Sequence, residues 1–361
     1  MTTFTLFEAS LELATSVVAA DRVHRVRPAL FLRVLDGDAE GWSECPAGTV
    51  PGVDPTTDEL VAAVATLLAS DDGGPGAADR GTPSALGAPR VARGFLDAAH
   101  LDLGLRNERR SLASVLGVVA DDVGFAGVIG IDAPARARDR AVALAALGAS
   151  RLRVKVSPGV GTGALAAVLD TTDLPVVADA NGSFEPRTDQ RDLDALLALP
   201  LAWLEQPFAP ALLEQTAALA STSLVPIGLD ESASSIQAIR SAARIGAAQV
   251  ICVKPSRFGI PGTLEARRVA ASLGLRTYVG GYFEAGLARA VLAALSAAYD
   301  GLDGDVVAPC TYLTSDPCAL AGPVAGRQPL HVTPGCGPIP DVAGMAIRLE
   351  RVASEPPRRP S

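Results

Sequence analysis

Two lysines, Lys155 and Lys254, stand in a chain whose other 29 basic residues are all arginine. Both close apolar runs, Arg-Leu-Arg-Val-Lys155 and Val-Ile-Cys-Val-Lys254. Arginine stays charged near neutral pH, whereas a partly desolvated lysine can release its proton. Keeping lysine at these two places points to two amines that must titrate. Three carboxylates also follow apolar runs directly: Asp179 after Val-Val-Ala, Glu205 after Trp-Leu and Asp230 after Ile-Gly-Leu. Brought together they would repel unless a cation sat among them. All-oxygen donors select a hard ion, Mg²⁺ first and Mn²⁺ as the alternative. Taken singly, each acid could cap a following helix and each lysine could be a surface residue. Their common phase argues against that.

That phase is a spacing. Lys155, Asp179, Glu205, Asp230 and Lys254 are separated by 24, 26, 25 and 24 residues, and a further 26 reaches Gly280. Each closes a short strand candidate (Leu152–Val156, Val176–Ala178, Trp203–Leu204, Ile227–Leu229, Val250–Val253, Thr277–Val279), and Ala-rich helical stretches lie between. Strands alternating with helices of this length predict βαβ units and a parallel sheet. A closed barrel turns all its C-terminal strand ends to one face, where the five groups converge; an open sheet would spread them along a line. The fold class expected is α/β, a (β/α)7β barrel. An α+β capping domain precedes it, with strands Thr3–Leu13, Pro28–Leu35 and Gly41–Cys45, a turn at Asp36-Gly37-Asp38, and helices over 58–70 and 91–106. The expected division is a cap over 1–118, a barrel over 119–310, and a Pro- and Gly-rich segment over 311–361 returning to the cap. Asp71–Pro89 reads as a mobile loop and Ser354–Ser361 as a frayed tail.

Composition narrows the classes. The 361 residues are 48% hydrophobic and only 4% aromatic, enough for a large core built from Ala, Val and Leu. A net charge of −9 argues against nucleic-acid or anionic-membrane partners. Five cysteines without a CxxC pair and three scattered histidines argue against a zinc site. Free thiols and a first segment without signal-peptide character lead to the expectation of a cytoplasmic protein, and no apolar run is long enough to span a bilayer. The expected partner is a small carboxylate substrate, and a homo-oligomer stays open.

Lysines on the second and sixth strands, with acids between, suit removal of a proton next to a carboxylate. Here the chain resembles a known family, the muconate-cycloisomerase branch of the enolase superfamily, and within it the o-succinylbenzoate synthase and N-succinylamino-acid racemase group. The likeness rests on Gly41-Trp-Ser-Glu-Cys, Leu101-Asp-Leu, Gly127-Val-Ile-Gly-Ile131, Arg153-Val-Lys155-Val-Ser-Pro-Gly159, Asp179-Ala-Asn181, Leu204-Glu-Gln-Pro207, Leu229-Asp-Glu-Ser232, Val253-Lys254 and Gly280-Gly-Tyr-Phe-Glu-Ala-Gly-Leu-Ala-Arg289. The resemblance implies that Asp179, Glu205 and Asp230 hold Mg²⁺, that Lys155 and Lys254 face the substrate from two sides, and that Asn181 and Glu231 support the ligand shell. It implies substrate contacts at Gly280, Gly281 and Tyr282. Dehydration to o-succinylbenzoate is the leading expectation, racemisation of N-acylated amino acids or dipeptide epimerisation the alternative, and a non-catalytic binding barrel a remote third.

Two departures stand out. The family's Lys-x-Lys is here Arg153-Val-Lys155; the first position supplies charge and need not titrate, so Arg153→Lys is expected to be mild. The cap loop at Thr49–Asp58 lacks the aromatic and acidic pattern of the family, and with Val18–Arg27 it is expected to set substrate choice. Pro158–Gly163 resembles a phosphate loop without its Gly-Lys-Ser/Thr ending and reads as a strand-to-helix turn. Asp303 and Asp305 could receive an ammonium, but an Asp-Gly-Asp turn is the plainer reading.

Overall fold

The computed structural model describes residues 1–19, 22–50, 53–70 and 87–352. Most of the expected Asp71–Pro89 loop and the whole Ser354–Ser361 tail fall outside the described residues. Three N-terminal strands, β1 (Thr2–Ala19), β2 (Arg22–Asp36) and β3 (Ala39–Pro46), form an antiparallel meander. Gly37 supplies the positive φ that the β2–β3 turn needs. β1 runs six residues beyond the expected end, because after a register break between Glu12 and Val17 it pairs again with the start of β2. One face of this sheet, with Leu6, Leu30, Leu32 and Val34, packs on α1 (Thr57–Ala69) and α2 (Ala88–Asn107). Thr56 and Glu59 close α1 with a reciprocal capping box.

After α3 (Leu112–Val115) and β4 (Asp122–Val123) the chain enters the repeating part. Strands β5 (Ala126–Ile129), β6 (Arg151–Lys155), β7 (Val176–Asp179), β8 (Trp203–Glu205), β9 (Ile227–Leu229), β10 (Val250–Val253) and β11 (Arg276–Val279) lie side by side in chain order, all parallel. Helices α4 (Pro134–Ala146), α5 (Thr162–Leu169), α6 (Gln190–Leu197), α7 (Leu213–Thr222), α8 (Ile236–Arg244), α9 (Pro255–Ser272) and α10 (Gly286–Ala297) fill the connections. The ring is closed by residues 302–305. Leu302 and Asp305 donate to the Thr277 and Val279 carbonyls on one side, and Ala126 donates to the Gly304 carbonyl on the other. The expected barrel is therefore present, with an eighth staple too short to form a regular strand. Pro158–Gly163 is the expected turn, where Gly161, in the left-handed region, leads into α5.

The C-terminal segment crosses back. β12 (Gln328–Pro329) pairs with β4, and β13 (Ala346–Val352) adds antiparallel to β1 as the fourth strand of the cap sheet. Buried polar groups bind cap to barrel. The Glu44 carboxylate accepts the Ala285 and Ala288 amides at the start of α10 at 2.6 and 2.8 Å. Those amides have no partner within the helix, so a carboxylate satisfies them well.

Candidate active site

Because all barrel strands run the same way, their last residues share one rim. The order across β6 to β10 is Lys155, Asp179, Glu205, Asp230, Lys254. It reads the same from either end, with Glu205 at the centre. In a ring of eight, β6 and β10 are diametrically opposed. The side chains are taken out of water: Asp179 and Glu205 are 0% exposed, Lys254 4% and Lys155 8%.

Each ionic group has a defined partner. Lys155 Nζ donates to Asp179 Oδ2 at 2.8 Å and to Asn181 Oδ1 at 2.7 Å. Lys254 Nζ donates to Asp230 Oδ2 at 2.6 Å and lies 3.8 Å above the Tyr282 ring. Arg153 donates from Nη1 to Glu205 Oε1 at 2.9 Å and from Nη2 to Asp305 Oδ2 at 2.6 Å. Glu205 also accepts from the Tyr278 hydroxyl and the Trp203 indole. Asn181 passes from Lys155 to Glu231, donating to Oε1 at 3.1 Å. Arg257 joins Asp230 Oδ1 at 3.0 Å to Asp54 of the cap at 2.9 Å.

The charges set the protonation states. Burial alone would raise the Asp179 carboxyl, but Lys155 and Arg153 outweigh it and hold it below its ordinary value. Asp230 is likewise pushed up by burial and pulled further down by Lys254 and Arg257, to well below the carboxylate range. Glu205 rises because burial outweighs Arg153. Glu231 is pushed up to about 7 by burial, then by Asp230 and Asp179. Burial disfavours the Lys254 ammonium, yet Asp230 and Tyr282 hold it well above its usual value.

Do these residues suit a divalent cation? Asp179, Glu205, Asp230, Asp54 and Asp305 face Arg153, Lys155, Lys254 and Arg257 in one ion-paired network. Glu231 adds a sixth acid, and its Oε2 is buried without a hydrogen-bond partner. Six acids therefore share four cations in this network. Oxygens of Glu205 and Asp230 lie within 4.8 Å of each other, whereas Asp179 falls outside that group, its Oδ2 accepting from Lys155 at 2.8 Å. The donor set suits Mg²⁺ or Mn²⁺. Cys252 falls in the same cluster, but burial pushes its thiol up, so it is a neutral neighbour and not a thiolate donor.

Above the rim lies a cavity of about 230 Å³, whose wall holds Lys155, Lys254, Asn181, Glu231, Gly281 and Tyr282 with Arg153 and Asp230. The cap contributes Ala19, His24 and Arg27 from the Val18–Arg27 segment, which lies largely on β1 and β2, with Val17 before it, and Thr49 and Val50 from the Thr49–Asp58 loop; residues 20–21 and 51–52 lie outside the described set. Gly280 is not in this wall. A Cβ there would come within 2.3 Å of Cys252 Sγ and 3.2 Å of Lys254 Cε, so its bareness makes room for the lysine. Backbone strain gathers at the same rim: Asn181, Gln206 and Phe283 hold φ of 45°, 40° and 63°.

Several residues here escaped the sequence reading. The role of Asp305 as the partner of Arg153 in a buried ion pair was not foreseen. Arg257, three positions after Lys254, could have been noticed as a cation one helical turn into α9. Gln206 knits β8 to β9 by accepting the Asp230 and Ser232 amides. Tyr278 gave no signal, being one apolar-run residue among many.

Residues 136–352 match the family described as enolase C-terminal domain-like. An N-succinylamino acid racemase from Amycolatopsis sp is 33% identical over 339 residues, 88% of this chain and 89% of that one. An o-succinylbenzoate synthase from Geobacillus kaustophilus is 32% identical over 63% of this chain and 61% of its own length. Among solved structures, a probable mandelate racemase from Alicyclobacillus acidocaldarius superposes with a TM-score of 0.76 at 28% identity, covering 93% and 92% of the two chains.

Proposed function

This chain belongs to the enolase C-terminal domain-like family and is an enzyme of the enolase superfamily, and on that footing we propose that it interconverts the two hands of an N-acylated amino acid by moving the α-proton. The observation that carries this reading is that Lys155 and Lys254, at the ends of strands four apart in the ring, line one cavity with Asp230. Asp179, Glu205 and Asp230 would hold the divalent cation, Mg²⁺ or Mn²⁺. Bound there, it would supply the Lewis acidity that makes a carboxylate's α-proton removable.

The chain's own groups do the rest. Lys155 stands on one side of the α-carbon and Lys254 on the other, and turnover requires one of them as the neutral amine and the other as the ammonium. One takes the α-proton and the other returns one to the opposite face, which inverts the centre. Arg153 cannot titrate; it keeps positive charge beside Glu205 throughout. Asn181 and Glu231 orient Lys155. Cap residues Val17, Ala19, Thr49 and Val50 complete the cavity wall.

Dehydration to o-succinylbenzoate, expected first from the sequence, is the second reading, favoured by the relative from Geobacillus kaustophilus. It takes second place because the racemase relative aligns over nearly the whole chain. Deuterium exchange at the α-carbon, followed in heavy water with Mg²⁺ and a panel of N-succinyl amino acids, tests the first reading. Exchange with loss of optical activity is expected. Turnover of the cyclohexadiene carboxylate precursor alone would transfer the conclusion to the second reading, and no exchange on any N-acyl amino acid would sink the first.

A further inference from the structure

Arg27 comes from β2 of the cap and reaches the cavity wall beside His24. Its side chain is almost wholly enclosed, with the residue 6% exposed. Its Nε donates to the Tyr282 carbonyl at 2.9 Å, and Nη1 lies 3.3 Å from His24 Nδ1. Yet among the described residues no carboxylate lies within ion-pair distance of it. The two nearest acids that act on it are both taken: Glu284 by Arg289 at 2.7 Å, and Asp54 by Arg257 at 2.9 Å. A buried guanidinium without a counter-ion is costly; Arg151 and Arg267 are also buried on carbonyl acceptors and aromatic rings, and Arg27 differs from them in lining the cavity between the lysines. Every other cation of the cavity wall is paired, Arg153, Lys155 and Lys254 each with an acid of the rim. Arg27 and Lys254 approach the same Tyr282 ring, with the guanidinium 5.9 Å and the ammonium 3.8 Å from its centre. The unpaired cation therefore borders the space where a substrate would sit between the lysines.

We infer that Arg27 is an anion subsite, receiving a second carboxylate that the substrate carries away from its reacting carbon. This rests on the proposed function for the identity of the reacting end, but not for the charge of the other. The cations of the cavity would then divide their work: those of the rim act on the α-carbon, and Arg27 selects for a dianion over a monoanion of the same shape. A guanidinium suits a carboxylate because its donors form a planar fork.

The test compares N-succinyl-L-phenylalanine with its terminal amide, which keeps size and removes one charge. Both are measured as substrates and, by calorimetry on the Mg²⁺-loaded protein, as ligands. Wild type should prefer the acid by about 100-fold, in the range found when one partner of a buried charge pair is lost. Arg27→Met should reduce that preference to below about 5-fold while leaving the amide nearly unaffected, and Arg27→Lys should fall between. A wild type that does not discriminate, or an Arg27→Met that weakens acid and amide equally, would overturn the subsite; equal weakening is what a merely structural arginine would give. Should neither compound turn over, the proposed reaction fails, but the calorimetric preference still decides: erased in Arg27→Met, the subsite stands; equal or absent binding of both in wild type removes it. Arg27→Met should also melt no lower than wild type without ligand, since it deletes an uncompensated charge; if it does not fold, Arg27→Lys carries the comparison.

Discussion

The two walls of the cavity carry the same group in different surroundings. Lys155 is held by two oxygens, Asp179 and Asn181, both from the next strand and its loop. Lys254 is held by one carboxylate and one aromatic face, Asp230 and Tyr282. The Lys155 wall is built from neighbouring barrel segments. The Lys254 wall is braced by the cap, through Arg257 to Asp54 and through Arg27 to the Tyr282 carbonyl. A rim symmetric in residue type is thus asymmetric in support. The Lys254 side depends on contacts that cross from cap to barrel, whereas the Lys155 side depends on neighbouring barrel segments.

The largest expected effect asks whether both walls do chemistry. Lys155→Ala and Lys254→Ala should each lower racemisation by about 10²–10⁴-fold, the usual worth of a general acid or base. Lys155→Arg should be nearly as damaging, because a guanidinium keeps the charge but does not give up its proton. Wild-type turnover in Lys155→Arg would remove that wall from the reaction. If only Lys155 matters and Lys254→Ala keeps most of its activity, the one-base dehydration becomes the better reading.

Next comes the group between the walls. The sequence led to a mild Arg153→Lys; the structure revises it. Arg153 spans Glu205 and Asp305 with two nitrogens, and a lysine has only one to offer. Asp305 would be left buried and unpaired, at a cost of about 3–5 kcal/mol in unfolding free energy. Denaturant melts should show this, and Arg153→Lys with Asp305→Asn should recover part of it. An Arg153→Lys protein as stable as wild type would mean that the pair adds nothing.

A third contact between cap and barrel, Glu44 on the start of α10, can be read through pH. Burial pushes Glu44 up from 4.5 to about 8, ahead of the amides of Ala288 and Ala285, which pull it down. A raised folded value means that the folded protein binds the proton more tightly than the unfolded chain. The contribution is therefore whole below the unfolded value of 4.5 and fades as pH rises through 8. Glu44→Gln lacks this titration, so the melting temperature of wild type minus that of the variant should narrow between about pH 5 and 9. A constant gap would show that the carboxylate is ionised throughout, held so by the α10 N-terminus.

The smallest effect isolates the aromatic face. Tyr282→Leu removes the ring under Lys254 and nothing beside Lys155, with a cation–π contact worth about 0.5–2 kcal/mol. Exchange started from the two enantiomers should slow unequally, by up to about 30-fold for the face served by Lys254. Equal slowing of both faces would make Tyr282 a general support and erase the distinction between the walls.

Much of the rim was legible in the chain because each of its groups announces itself locally. Asp179, Glu205, Asp230 and the two lysines each terminate an apolar run, and a parallel barrel needs only strand direction to gather such ends on one face. The barrel, its chain-order strands and the turn at Gly37 followed from periodicity in the same way. What surrounds the rim has no local signature. Arg27 meets Tyr282 across 255 residues and Arg257 meets Asp54 across 203. Asp305 looked like half of an Asp-Gly-Asp turn until closure of the ring set it against Arg153, 152 residues away. An isolated arginine or aspartate reads the same whether it ends in solvent or in a core. So the sequence alone determined which groups converge, since strand phase and direction are short-range properties. Only the tertiary structure decided which charges are paired and which, like Arg27, have no acid beside them, because charge balance depends on every neighbour that folding brings within a few ångströms.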